Sequence, residues 1–113
     1  TCALPIYRRT DLKGEKVHEV TLTADSLLAK VTGEKTLGVN STHHQSVDRV
    51  AKLLRVTAKS SDGIVEALEL KTPGLLPYLM AVQFHPERLL DRYQEFLQIF
   101  RSFVCASASA KKI

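Results

Sequence analysis

Two alternating stretches joined by a short polar link constrain what this chain can fold into. "LRVTAKS", residues 54–60, and "IVEALEL", residues 64–70, each switch between two sets of side chains with a period of two, and Ser61-Asp62-Gly63 lies between them. That period puts successive side chains on opposite faces of a strand, and a glycine at the end of a tight link supplies positive φ without steric cost. The pair predicts an antiparallel β-hairpin turning at Gly63. By strand alternation Glu66 and Glu69 are expected to be solvent-side charges. With 113 residues in all, one small domain is expected, and the remaining elements must pack on the sheet that this hairpin begins.

Upstream, "KVHEVTL", 16–22, alternates and ends at Asp25-Ser26. Either residue can cap the short apolar turn Leu27–Val31, which Gly33 closes. "TLGVN", 36–40, reads as a second strand, interrupted by the polar "STHHQSV". Val47, Val50, Leu53 and Leu54 share a face at helical spacing and predict one or two helical turns. After Pro73-Gly74, the apolar run "YLMAVQF" predicts a strand buried on both faces. Leu89, Leu90, Tyr93, Phe96, Leu97, Phe100, Phe103 and Val104 then recur at three- and four-residue spacings, predicting a helix over 88–106 of about five turns. Residues 1–16, with Pro5 and Gly14, read as an irregular lead-in, 17–106 as the folded body, and 107–113 as a frayed tail. The order of elements is α/β, with the apolar strand delivering His85 at its carboxyl end, where open α/β sheets gather ligands and catalytic groups.

Charge and composition narrow the function. Lys plus Arg exceed Asp plus Glu by 16 to 12, for a net charge of +4. The basic residues are spread, and Arg8-Arg9 and Lys111-Lys112 form no groove interleaved with aromatics, so nucleic acid is not an expected partner. No apolar run approaches the roughly 18 residues of a membrane span, and the first residues lack the form of a signal peptide. Cys2 and Cys105 have no metal-knuckle or disulfide spacing, which points to a reducing, cytoplasmic setting. His43 and His44 are adjacent and point apart with no third ligand at suitable spacing, so a metal is not expected. The chain starts at Thr1 and its one methionine is Met80; a piece of a longer polypeptide is the expectation.

The segment "MAVQFHPERLL", 80–90, carries the clearest chemistry. Pro86 biases His85 toward an extended backbone, so the imidazole and the Glu87 carboxylate can both be held near the strand end. A carboxylate accepting from one ring N–H leaves the other nitrogen to face a nucleophile, the base-and-orienter arrangement of acyl transfer. Glu87 would also suit the start of a helix with no catalytic role. On these residues alone both readings stand.

Three motifs in order, "VNSTHHQSV" at 39–47, "LRVTAKSSDGIVEALE" at 54–69 and "AVQFHPE" at 81–87, resemble the C-terminal half of class I glutamine amidotransferase-like hydrolases of the C26 peptidase group. They look most like bacterial γ-glutamyl-γ-aminobutyrate hydrolases of putrescine breakdown. "HEVTLTADSLLAKVTG", 18–33, fits the same family's lead-in, and the resemblance covers 18–104. It implies the C-terminal part of a flavodoxin-like three-layer α/β/α sandwich with an inserted antiparallel hairpin, and a Cys-His-Glu triad acting through a thioester on a small-molecule γ-glutamyl substrate. His85 and Glu87 match the catalytic histidine and glutamate. His44 and Gln45 match a loop that lines the substrate pocket. No cofactor or metal is implied.

The departures are specific. The family's nucleophile stands in a Gly-x-Cys-x-Gly elbow, and no such run occurs in these 113 residues. Neither Cys2, in "TCALP", nor Cys105, near the end of the long helix, has the turn that exposes and activates a thiolate. Ala81 replaces a common glycine, a difference of one methyl. Three readings follow: the C-terminal portion of a γ-glutamyl hydrolase, a non-catalytic binding or regulatory remnant that pairs with another chain, or an enzyme with an unusual nucleophile such as Cys2 brought across a dimer. The resemblance implies that the apolar stripe of the last helix covers the sheet, so in an isolated fragment part of it is expected to be exposed and to favour self-association.

Overall fold

The computed structural model describes residues 2–3, 16–41, 45–72 and 74–109. The predicted hairpin is its centre. β5 (Leu54–Ser60) and β6 (Val65–Leu70) pair antiparallel, with Leu54 opposite Leu70 and Arg55 opposite Glu69, and Gly63 takes φ 88° in the turn. The register shifts twice: Val56 and Ala58 face the adjacent residues Leu68 and Ala67, while Ala58 and Lys59 face Ala67 and Val65. Thr57 and Glu66 are therefore the extra residues of two bulges, which tighten the local twist.

The other strands extend this ladder on both sides. β2 (His18–Leu22) pairs with β5, β3 (Thr36–Val39) with β2, and β7 (Met80–Val82) with β6. The order is β3-β2-β5-β6-β7, antiparallel at every pairing. A separate two-residue ladder joins β1 (Cys2–Ala3), within the expected lead-in, to β4 (Gln45–Ser46).

Two helices complete the core. α1 (Leu27–Thr32) starts at Ser26, whose hydroxyl accepts the Ala29 N–H at 3.0 Å, and stops at Gly33, left-handed at φ 72°. α2 spans Gln94–Ser109. Val20 and Leu22 of β2, Leu37 and Val39 of β3, Ala58, Ala67 and Phe84 form one buried cluster with Leu28, Leu89, Phe96 and Ile99. Phe96 lies edge-on to both Phe84 and Tyr93, with ring centroids 5.9 and 6.2 Å apart. Lys16 fastens the start of β2 to the same helix through a salt bridge to Glu95 and a position 4.2 Å over the Tyr93 ring.

The sheet is curled. β3 and β7 stand at opposite ends of the strand order, which in a flat sheet separates them by four strand spacings, roughly 19 Å. Yet Asn40, directly after β3, hydrogen-bonds to His85, three residues after β7, at 2.8 and 2.9 Å. His18 of β2 and Glu66 of β6, with β5 between them, likewise approach to 3.9 Å. Strong curvature is needed to close the first of these distances; the second lies within the reach of two long side chains across one intervening strand.

Four expectations are corrected. Glu66 and Glu69 are buried, at 1% and 5% exposure: Glu66 is a bulge residue, and Glu69 shares the inward side of β6 with Ala67. Residues 47–53 form bends and a turn, not a helix; Leu53 stays 62% exposed, and a helix this short has no tertiary burial to offset nucleation. β7 is half-covered, with Met80 and Val82 packed on the core and Ala81 exposed, because this antiparallel strand has the core on one face and is open on the other. The last helix begins at Gln94, six residues later than expected, and reaches Ser109, into the expected tail. Before it, Pro86–Arg88 forms a tight 3-10 turn, with the N–H groups of Arg88 and Leu89 donating to the carbonyls of His85 and Pro86.

Candidate active site

His85 leaves the sheet between two constraints. The Gln83 N–H still donates to the Glu66 carbonyl at 2.8 Å, continuing the β6–β7 ladder. Pro86, whose missing N–H costs nothing at the first position of a helical turn, then starts the 3-10 turn. That turn carries Glu87 back toward the imidazole. His85 Nδ1 and Glu87 Oε2 are 2.9 Å apart, with both side chains reaching solvent.

The chemistry of this pair follows from what each group can do. An ionised carboxylate only accepts, so the contact assigns the proton of the neutral ring to Nδ1 and leaves the lone pair on Nε2. Burial raises the Glu87 carboxyl, but the hydrogen bond from His85, its own backbone N–H and the charges of His85 and Arg88 outweigh it and hold the group below its ordinary value. Glu87 is thus ionised at neutral pH. A histidine with an oriented ring and an available Nε2 can take a proton from a nucleophile and return it to a leaving group.

Asn40 was not foreseen as part of this arrangement. Its Oδ1 accepts the His85 N–H at 2.8 Å and its Nδ2 donates to the His85 carbonyl at 2.9 Å. The same carbonyl accepts the Arg88 N–H at 3.2 Å. The sequence offered only a polar residue ending an apolar strand; its partner lies 45 residues away.

The other expected site residues are placed less fully. His44 lies outside the described residues, and of Gln45 only the backbone is described, paired with Ala3 in the β1–β4 ladder. Cys2 is in β1, and Cys105 is an exposed free thiol on α2. Among the described residues, no group of three or more His, Cys, Asp or Glu side chains could hold a metal ion, and no helix is long and apolar enough to cross a membrane.

Comparisons with known proteins bear on this chain at two levels. In fold, the chain resembles a GMP synthase subunit from Thermoplasma acidophilum, with a TM-score of 0.64 and 23% identity over 81% of this chain and 43% of that one. In sequence, residues 6–87 match Peptidase C26, and the chain belongs to that family.

Curated relatives agree. A glutamine amidotransferase-like protein of Rickettsia prowazekii is 38% identical over 92 residues, 80% of this chain and 31% of the relative. A protein named as a glutamine amidotransferase in Mycobacterium tuberculosis is 42% identical over 81 residues, 72% and 24% of the two chains. The γ-glutamyl-γ-aminobutyrate hydrolase of Escherichia coli is 36% identical over 90 residues, 79% and 34%. The chain spans about a third or less of the length of these relatives.

Proposed function

We propose that this chain is the C-terminal portion of a γ-glutamyl hydrolase in which His85 is the general base and acid, Glu87 orients it, and the nucleophilic cysteine comes from outside these 113 residues. The observation that carries the reading is the 2.9 Å contact between His85 Nδ1 and Glu87 Oε2, which leaves Nε2 for the nucleophile. Membership of the Peptidase C26 family and the likeness to a γ-glutamyl-γ-aminobutyrate hydrolase support the reaction class.

In the proposed reaction Nε2 of His85 takes the thiol proton and the thiolate attacks the γ-glutamyl carbonyl carbon. The tetrahedral species collapses by breaking the C–N bond, and the imidazolium gives its proton to the departing amine. Water then attacks the thioester, His85 again accepting a proton, and glutamate leaves as the thiol is restored. Glu87 stabilises the imidazolium in both halves without being protonated itself. The loop of His44 and Gln45 lines the γ-glutamyl pocket in this proposal. An amine from putrescine breakdown is the leaving group that the family likeness favours, and the cytoplasm is the setting.

The test compares glutamate release from γ-glutamyl-γ-aminobutyrate by the 113-residue chain and by the chain extended upstream through a Gly-x-Cys-x-Gly elbow. Turnover confined to the extended protein and abolished by His85→Ala is the expected result. Turnover by the short chain, or turnover that survives His85→Ala, would overturn the assignment.

A further inference from the structure

We propose that Asn40 is a positioning residue for His85: its carboxamide acts as a surrogate strand that fixes the peptide groups on both sides of the His85 Cα and so aims the imidazole at Glu87. The catalytic consequence rests on the hydrolase reading, whereas the positioning rests on geometry alone.

Three observations lead there. His85 has φ −113° and ψ 83°, a ψ well short of the roughly 115–135° of a regular strand, so no ladder sets its conformation. Both of its backbone polar groups nevertheless bond to one side chain, Asn40, as a residue in a hydrogen-bonded antiparallel pair bonds to its neighbour. A carboxamide is suited to this because it carries one acceptor and one donor at fixed separation; aspartate lacks the donor, serine lacks the span, and glutamine adds a methylene. The amide orientation is also determined, since an N–H must meet Oδ1 and a carbonyl must meet the NH₂.

Asn40 is itself well anchored. It is fully buried and directly follows Val39, which pairs with His18 and accepts the Val17 N–H at 2.7 Å. Hydrogen bonds in such surroundings are stronger than in water. The start of the "VNS" motif and the "FHPE" motif are thereby joined across the mouth of the curled sheet. With φ and ψ of His85 held, Cβ is fixed in space, and χ1 and χ2 alone bring Nδ1 to the Glu87 carboxylate. Releasing Asn40 frees the backbone, and the ring no longer keeps one orientation.

Asn40→Ala removes both bonds, and Asn40→Ser, which lacks the span to make both, adds no charge. In the 113-residue chain, the Glu87 carboxyl is followed by NMR against pH. The expected result is that it titrates higher, toward the ordinary 4.5, in Asn40→Ala and in Asn40→Ser, while Glu95 is unmoved. Where Asn40→Ala fails to fold, Asn40→Ser gives the same comparison. A Glu87 titration unchanged in the folded variants overturns the proposal.

In the extended, active protein the expected result is a fall in kcat on the order of 100-fold for Asn40→Ala with KM nearly unchanged, as displacement of a catalytic group by about 1 Å predicts. If His85→Ala leaves activity intact, the hydrolase reading fails while the Glu87 titration still decides the role of Asn40.

Discussion

The Glu69 carboxylate sits on the N-terminus of α1, accepting the Leu28 N–H at 3.0 Å. Its other oxygen accepts from Leu27 at 2.7 Å. Ser26 takes the Ala29 N–H through its side chain and the Lys30 N–H through its carbonyl, so all four amides of the first turn have partners, as helix ends require. Glu69 is thereby a bolt between β6 and α1.

Removing that bolt leaves the buried Leu28 amide and the part-buried Leu27 amide without these acceptors. Glu69→Ala is expected to cost about 3 kcal/mol, on the scale of hydrogen bonds to charged groups plus the orphaned donors. Glu69→Gln is expected to cost about 2 kcal/mol, because one oxygen becomes an NH₂ facing an N–H. Urea denaturation checks both; midpoints within error of wild type would show that the contact contributes nothing net.

Ser26 is a separable part of the same accounting. It is fully buried, extended at ψ 156°, and its hydroxyl caps a single amide. Ser26→Ala is expected to lower stability by about 1 kcal/mol, less than either Glu69 substitution. The ranking is the informative result: a larger loss at Ser26 than at Glu69 would mean that the cross-element contact is the weaker of the two caps.

The pH dependence of stability has a definite sign. Glu87 and Glu95 are held below the ordinary 4.5: burial raises each, and the hydrogen bonds from His85 and Lys16, respectively, outweigh it with help from backbone and charge. Asp25 is held below 3.8, chiefly by the hydrogen bond and charge of Arg55. Depressed carboxyls contribute stability that is complete above their unfolded values and is lost as pH falls through the folded ones. The denaturation midpoint should therefore hold steady just above pH 4.5 as far as these groups are concerned and decline below it. Glu87→Gln should flatten that decline, and an unchanged slope would remove Glu87 from the account.

Much of this structure was legible from local pattern. The hairpin followed from alternation and Gly63, and the α1 boundaries from the Asp25-Ser26 pair, of which Ser26 is the cap, and Gly33. The His85–Glu87 contact followed from two residues flanking Pro86. What failed was whatever depends on which face a strand buries. In "IVEALEL", one alternating set contains Glu66 and the other Glu69, so either register puts a glutamate on the covered side, and assigning both to solvent could not hold. The two bulges then brought Glu66 inward as well, and register shifts leave no mark in composition. Asn40 was invisible for a related reason: its partner is defined by the curl of the sheet, which no window of sequence contains. The late start of α2 reflects the 3-10 turn after Pro86, where helical spacing of Leu89, Leu90 and Tyr93 marks packing on the core without continuous helix.

The outer side of α2 gives the last prediction. Phe100, Phe103 and Val104 are 36, 56 and 63% exposed, and Phe103 is covered in part by an edge-on contact with Tyr78 at 5.6 Å. Apolar groups left this open contribute little to folding but are available for association. Val104→Ser is expected to change stability by less than about 0.5 kcal/mol, and Phe103→Ser to cost about 1 kcal/mol through loss of the Tyr78 ring contact. Both are expected to reduce concentration-dependent association of the 113-residue chain in sedimentation velocity. If wild type stays monomeric as concentration rises, this face does not drive self-association; if wild type associates and neither serine weakens it, the contact lies elsewhere on the molecule.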